Sequence, residues 1–172
     1  MRPDQLRVRA LTGDDLGLLS NFACSTGEPW EELVEQQVRG PLPRRYLASP
    51  PYFDGRMLLG FDDSGRLLMV GAHHVEPTLV PDVGYTEVVA VARDARGTLV
   101  ELPSGAQISL GHFMLLTIFK QMRTLGRHPR TFVRVDRHNT RSLALLDRVG
   151  LTEEREDPLD AALVQRWGEL PS

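Results

Sequence analysis

Apolar residues along this chain change their spacing several times, and each change marks an element. Leu6, Val8 and Ala10 alternate with polar neighbours, so the chain opens on a half-buried strand over 6–10. Thr12-Gly13-Asp14-Asp15 then leads into a helix carrying Leu16, Leu18, Leu19 and Phe22, with Thr12 or Asp14 as its cap. A second helix is predicted from Pro29 to Val38. Pro29 suits the first helical position, Glu28, Glu31 and Glu32 complement its positive end, and Gly40-Pro41 stops it. Pro41, Pro43, Pro50 and Pro51 read as a lid-like or disordered loop.

Strand spacing returns over 56–61 and 66–75, around the turn signal Asp62-Asp63-Ser64-Gly65, and a third strand is predicted over 85–93. From 109 to 123 Leu110, Phe113, Met114, Leu116, Ile118 and Met122 cover much of the circumference of a long helix. Thr131 to Val135 is a compact β-branched run suited to a buried strand, and Ala161 to Trp167 suits a last one. Between them, Asn139 is a favoured N-cap with Ser142 within reach of its side chain. Leu143, Leu146 and Val149 share one face of the helix so begun, and Gly150 supplies its stop.

Composition narrows the classes. A chain of 172 residues, 41% of them hydrophobic, can bury one sizeable core and has about the length of one domain, taken as 1–172. A formal charge of −3 gives no global pull toward nucleic acid or anionic membranes. The single cysteine, Cys24, rules out an internal disulfide, fits a reducing compartment, and reads as a small core-facing hydrophobe. No basic-then-apolar leader opens the chain, and the densest apolar run, Phe113 to Phe119, is too short to span a bilayer. These features predict a soluble, cytoplasmic protein, and they include no metal-ligand pattern.

The spacing of Asn139, Ser142, Gly150 and Leu151 behind a short strand resembles the last shared motif of the GNAT superfamily of acyl-CoA-dependent N-acetyltransferases. The element order agrees with that family over nearly the whole chain. The resemblance implies an α+β fold with a central mixed, mostly antiparallel sheet flanked by about four helices. It also implies a bacterial enzyme that moves an acetyl group directly from acetyl-CoA to an amine on a small molecule, protein or peptide. In the family, Asn139 and Ser142 would lie against the pantetheine and thiol end of the cofactor, and the backbone of Val89, Ala90 and Val91 would hold its arm. Many members pair through their C-terminal strands, so a homodimer through 161–167 is implied.

Two departures qualify this picture. Arg93-Asp94-Ala95-Arg96-Gly97 resembles the first half of the family's pyrophosphate loop, but Thr98 to Pro103 intervenes before Ser104-Gly105-Ala106 and the next helix. An enlarged loop is expected, with Gly97, Gly105, Ala106 and Ser109 around the phosphates and Arg96 as charge partner. Leu146 stands where many members carry a Tyr that reprotonates the thiolate, so another group serves, the thiolate leaves unassisted, or the protein is not a catalyst.

Base candidates lie on the middle strands. Glu87 sits where members often carry a base, and its pKa would have to rise from about 4.3 by burial to act near neutrality. His73 and His74 point to opposite faces, so at most one meets a cleft; Tyr85 and His112 are thiolate donors to consider, and His138 reads as a surface residue. Arg123, Arg127, Arg130, Arg134, Arg137 and Arg141 could meet phosphate, but the acidic stretch Glu153 to Asp157 is an internal partner for them. Two alternatives follow: a catalytically degenerate acyl-CoA-binding or partner-binding protein, and a toxin-like acetyltransferase acting on aminoacyl-tRNA. The overall negative charge disfavours nucleic acid.

Overall fold

The computed structural model describes residues 1–48, 54–76, 83–124 and 130–170. In chain order they form β1 (Arg7–Ala10), α1 (Leu16–Leu19), α2 (Pro29–Arg39), α3 (Pro41–Ala48), β2 (Arg56–Phe61), β3 (Leu67–Glu76) and β4 (Val83–Val91). Then come β5 (Leu99–Glu101), β6 (Gln107–Ser109), α4 (Leu110–Thr124), β7 (Arg130–Asp136), α5 (Thr140–Arg148), β8 (Glu153–Glu156) and β9 (Leu163–Glu169).

Seven strands make one sheet in the order β1-β2-β3-β4-β7-β9-β8, and β5 pairs with β6 separately. Every pairing in the large sheet is antiparallel except β4 with β7. The sheet is therefore mixed and mostly antiparallel, as expected. Helices cover both faces. His73 meets Gln121 of α4 while the adjacent His74 meets Tyr46 of α3, and successive strand residues face opposite ways. Met57 to Phe61 and Leu67 to Val75 are accordingly buried without a break.

Close helix-on-sheet packing depends on Gly71. A Cβ there would come within 2.8 Å of the Met114 and Ile118 side chains of α4, so any larger residue would push the helix away. At the β2–β3 turn, Asp62 Oδ1 accepts the N–H groups of Ser64 and Arg66 at 3.0 Å, and Gly65 takes φ +85°. This is the turn the sequence predicts.

Three elements correct the sequence reading. The segment from Pro41 is helix α3 rather than a loop: its prolines occupy the first and third helical positions, where no intrahelical N–H is needed. Pro50 and Pro51 lie outside the described residues. The stretch after Gly97 is the hairpin β5–β6, with Leu99 opposite Ser109 and Val100 fully buried. The acidic stretch Glu153–Glu156 is the edge strand β8.

Candidate active site

A parallel pair of strands that part company forms the centre of the site. Gly84, Tyr85 and Thr86 pair with Thr131, Phe132 and Val133, and there the β4–β7 ladder ends. β4 runs on to Val91 and β7 to Asp136, where the latter is paired only with β9. On its other side β4 pairs with β3 throughout, with one interruption. Val88 opposes Ala72 and Thr86 opposes His73, which leaves Glu87 as the extra residue of a bulge. The bulge and the parting of the strands coincide at Glu87. Bulges re-aim side chains, and open sheets bind ligands where neighbouring strands diverge.

The Glu87 carboxylate, 18% exposed, collects partners from three elements. Arg45 of α3 donates to Oε1, the Tyr46 hydroxyl donates to Oε2 at 2.8 Å, and His74 Nδ1 of β3 lies 3.5 Å from Oε2. Tyr46 Oη and His74 Nδ1 are 3.2 Å apart, which closes a triangle. Tyr85 stands edge-on to His74, with ring centroids 5.0 Å apart. From Tyr85 a row of stacked rings continues across the sheet through Phe132 to Trp167, at 4.7 and 4.5 Å.

Electrostatics here runs against the sequence expectation. Burial alone would raise the Glu87 pKa, but hydrogen bonds from His74, Arg45 and Tyr46 outweigh it and hold the carboxyl down to about 2. Glu87 is thus ionised at neutral pH and a weak proton acceptor. Tyr85 is pushed up to about 12 by burial and then by the Glu87 charge, and Tyr46 is raised by the same causes. Both phenols keep their protons.

The other candidates separate. His73, 1% exposed, lies on the α4 face with Nε2 3.2 Å from Gln121 Oε1, away from Glu87, and burial lowers it to about 4. His112 lies in the first turn of α4 and is lowered by burial and by Arg148. Leu146 is 3% exposed, inside the core. Cys24 is 2% exposed and its thiol is pushed up to about 11, chiefly by burial. Tyr46 went unassigned in the sequence reading and Arg45 was not linked to Glu87; His74 was weighed there as one of two histidines of opposite facing, and the structure puts it, not His73, beside Glu87.

Along the parted edge, Val89, Ala90 and Val91 pair with Gly71, Val70 and Met69 of β3 and not with β7. Beside Val91, α4 begins with Gly111 in its first turn. A Cβ at Gly111 would meet Val91 and Leu145 at 3.7 and 3.8 Å, ordinary contact distances, so β4, α4 and α5 converge at this point. Ser109 Oγ caps α4 by accepting the His112 N–H at 3.2 Å. Across the gap, Asn139 Oδ1 accepts the Ser142 N–H at 3.1 Å and caps α5, and Gly150 ends that helix with φ +86°.

The expected phosphate loop is folded differently. Gly105 and Ala106 sit at the tip of the β5–β6 hairpin, where the Gly105 N–H donates to Leu102 O at 2.8 Å and the Ala106 N–H to Ser104 Oγ at 3.4 Å. Arg96 is turned toward α2, where it pairs with Glu31 Oε1 at 2.8 Å and donates to Cys24 O; Gly97 follows at φ +84°. A separate groove of about 690 Å³ lies between α2 and Arg93. Its central carboxylate, Glu35, is engaged by the Cys24 and Ser25 N–H groups and by Arg39, so it ties a loop to the helix.

Among the described residues there is no cluster of three or more His, Cys, Asp or Glu suited to a metal ion, and no helix long and apolar enough to cross a membrane. No protein-family profile matches the chain, and no curated protein sequence does. Solved structures match throughout its length. A chimera of the spermidine N-acetyltransferase SpeG from Vibrio cholerae with hSSAT superposes on 96% of this chain and 96% of its own, with TM-score 0.65 and 12% identity. The PaiA N-acetyltransferase of Thermoplasma acidophilum, solved with coenzyme A, gives 0.66 over 95% and 98% at 15% identity. A bacterial toxin gives 0.72 over 96% and 90% at 14% identity. The chain has the fold of the GNAT N-acetyltransferases.

Proposed function

We propose that this protein is an acetyl-CoA-dependent N-acetyltransferase that passes the acetyl group directly to an amine of a small molecule or peptide. One observation carries the reading: the β4 bulge, the parting of β4 from β7 and the cluster of Glu87, His74 and Tyr46 coincide at one point of the sheet. The parted strands would take an extended arm beside a polar cluster able to manage a proton.

The chain's residues fit the cofactor in part. The β4 backbone at Val89, Ala90 and Val91 has no β7 partner and would hold the pantetheine arm between the strands, with Asn139 and Ser142 on the far wall. The start of α4, from Ser109 through Gly111, offers helix N-terminal amides for the diphosphate, with Gly97 at the rim. Gly105 and Ala106 would take part only if the hairpin tip opened, because their amides serve the turn. Acetyl-CoA, when bound, supplies a thioester carbonyl for a neutral amine to attack.

The amine must first lose a proton, and Glu87 is a poor acceptor for it. His74 takes the proton and Glu87 is the fixed anion that orients the imidazole and stabilises the imidazolium, as carboxylates do for catalytic histidines elsewhere. Tyr85, protonated and edge-on to His74, is placed to return a proton to the departing thiolate. Arg45 balances the Glu87 charge from the rim, where its side chain is 52% exposed.

Calorimetric titration with acetyl-CoA, followed by turnover on a panel of amines, tests the reading. Saturable one-site binding with turnover on any amine supports it. Binding without turnover would leave an acyl-CoA-binding protein, and no binding at millimolar acetyl-CoA would overturn the reading.

A further inference from the structure

The β4–β7 ladder ends at the pair Thr86–Val133, so Arg134 is the first β7 residue beyond the parting of the two strands. Thr131 of β7 meets Met122 of α4, and side chains alternate along a strand, so Phe132 and Arg134 share the opposite face of the sheet. On that face Phe132 stacks on Tyr85, and the Arg134 guanidinium stands over the same Tyr85 ring, 5.6 Å from its centroid. Tyr85 in turn meets the His74 ring at 5.0 Å. Arg134 and His74 therefore flank one tyrosine at the point where the sheet opens.

Arg134 is anchored from behind. Its Nε lies 2.8 Å from Oδ2 of Asp157, whose side chain is fully buried. That carboxylate is itself fixed: Oδ1 accepts the Leu159 and Asp160 N–H groups at 3.0 and 3.2 Å, and Oδ2 accepts from Gln165 Nε2 at 3.1 Å. Gln165 is oriented in turn by the Trp167 indole N–H, which donates to its Oε1 at 3.0 Å. Asp157 thus engages the guanidinium at Nε. No described residue accepts a hydrogen bond from Arg134 Nη1 or Nη2, and the side chain is 32% exposed. By contrast Arg45, Arg130, Arg155 and Arg166 each donate an Nη group to a carboxylate. A planar fork of donors that is held in place, reachable from solvent and unused within the protein fits a planar oxyanion, above all a carboxylate.

We infer that Arg134, held by Asp157, takes the carboxylate of the acceptor, which makes the acceptor a short amino acid with its amine at His74; the inference rests on the acetyltransferase reading above. The geometry suits a small molecule, because guanidinium and imidazole are separated by no more than the two contacts across Tyr85. A carboxylate carbon sits about 4 Å from a guanidinium carbon and an amine about 3 Å from its base, which leaves a short gap for the acceptor's own backbone. The cofactor's phosphates are the poorer match. Their site at the start of α4 belongs to the helix that covers the His73 face, whereas Arg134 stands on the His74 face.

Common L-α-amino acids, β-alanine and γ-aminobutyrate, each beside its own amide, test this on the full chain by turnover with acetyl-CoA and by calorimetric binding with coenzyme A present. At least one acid should exceed its amide by about tenfold or more in kcat/KM and in affinity, with the difference in KM rather than kcat. Arg134→Lys keeps a cation beside Asp157 but loses the fork, and should cut that preference severalfold. Arg134→Gln with Asp157→Asn leaves no buried charge unpaired and should abolish it; Arg134→Lys carries the comparison should the double variant fail to fold. Equal use of acid and amide, a preference that survives these substitutions, or binding of none of the acids would overturn the assignment. So would a loss of acetyl-CoA affinity in the variants, since it would give Arg134 to the cofactor's phosphates. Acid-selective binding that depends on Arg134 in a protein that does not bind acetyl-CoA would sustain the carboxylate site and overturn the acetyltransferase reading. Acetyl-CoA-dependent turnover indifferent to the carboxylate would do the reverse.

Discussion

Neighbouring histidines on β3 meet opposite surroundings because a strand turns successive side chains to opposite faces. His74→Ala is expected to lower kcat/KM by about 10²-fold or more, the range for losing a general base, and to cost about 1–3 kcal/mol of stability because Glu87 and Tyr46 lose a buried partner. His73→Ala should leave the rate nearly intact and destabilise the fold by about 1–3 kcal/mol, since Gln121 loses its buried partner. Chemical denaturation and steady-state assays of the two variants separate these outcomes. His73 also sets a pH dependence. Burial holds its folded pKa at about 4, below the unfolded value of about 6.5, so the unfolded chain takes up a proton first as pH falls. This contribution is fully present above pH ~6.5 and declines toward pH ~4, by up to about 3 kcal/mol. His73→Gln, which cannot charge, should lose less stability than wild type between pH 7 and 4.5. Leu146 works the same way at a position that sequence resemblance marks for chemistry. With 3% exposure it is a core residue, so Leu146→Ala should cost about 2–5 kcal/mol, and Leu146→Tyr should overpack the core by about 1–3 kcal/mol without accelerating turnover.

Helix ends were the most legible elements, because caps are local chemistry. Asn139 caps α5 as its spacing to Ser142 implies, and that cap invites a test of its second assignment. Asn139→Ala should cost about 1 kcal/mol, while Asn139→Ser keeps a capping oxygen and should cost a few tenths. If Asn139 also meets the pantetheine arm, both variants lose affinity for acetyl-CoA in calorimetry; if it only caps, Asn139→Ser restores affinity along with stability. Other elements were hidden for physical reasons. Prolines 41 and 43 read as breakers, although in the first turn of α3 they remove no hydrogen bond. β5 and β6 have three residues each, too few to show a period of two. β8, reading Glu-Glu-Arg-Glu, has no apolar alternation because it is an exposed edge. The site was half legible. Glu87 and Tyr85 lie on a recognisable strand, but the bulge that aims Glu87 is a register effect, and Arg45 and Tyr46 arrive from a helix some 40 residues earlier. No local signal announces such a meeting.

Charge across the whole molecule bears on the choice between acceptor classes. The arginines of the β7 region could suggest a phosphate-binding face, yet Arg130 pairs with Glu153 and Arg134 lies 2.8 Å from Asp157, whose side chain is fully buried. Arg166 reaches Asp147 at 2.5 Å and Glu154 at 3.4 Å, and Arg155 bonds Glu153 while lying over the Trp167 ring. β8 therefore supplies carboxylates to a surface that would otherwise be strongly positive, in a chain of net charge −3. Binding to nucleic acid draws most of its strength from counterions released by unpaired cations, and paired cations release few. Labelled tRNA titrated in 50 mM salt should accordingly show no saturable binding at micromolar protein, and whatever retention occurs should have a shallow salt slope. Glu153→Gln together with Glu154→Gln would free Arg130, Arg155 and part of Arg166, and retention should then rise with a steeper slope. Tight, steeply salt-dependent binding by the wild-type chain would mean that these arginines leave their carboxylates for phosphate, and an aminoacyl-tRNA would then displace the small amine as the acceptor to pursue.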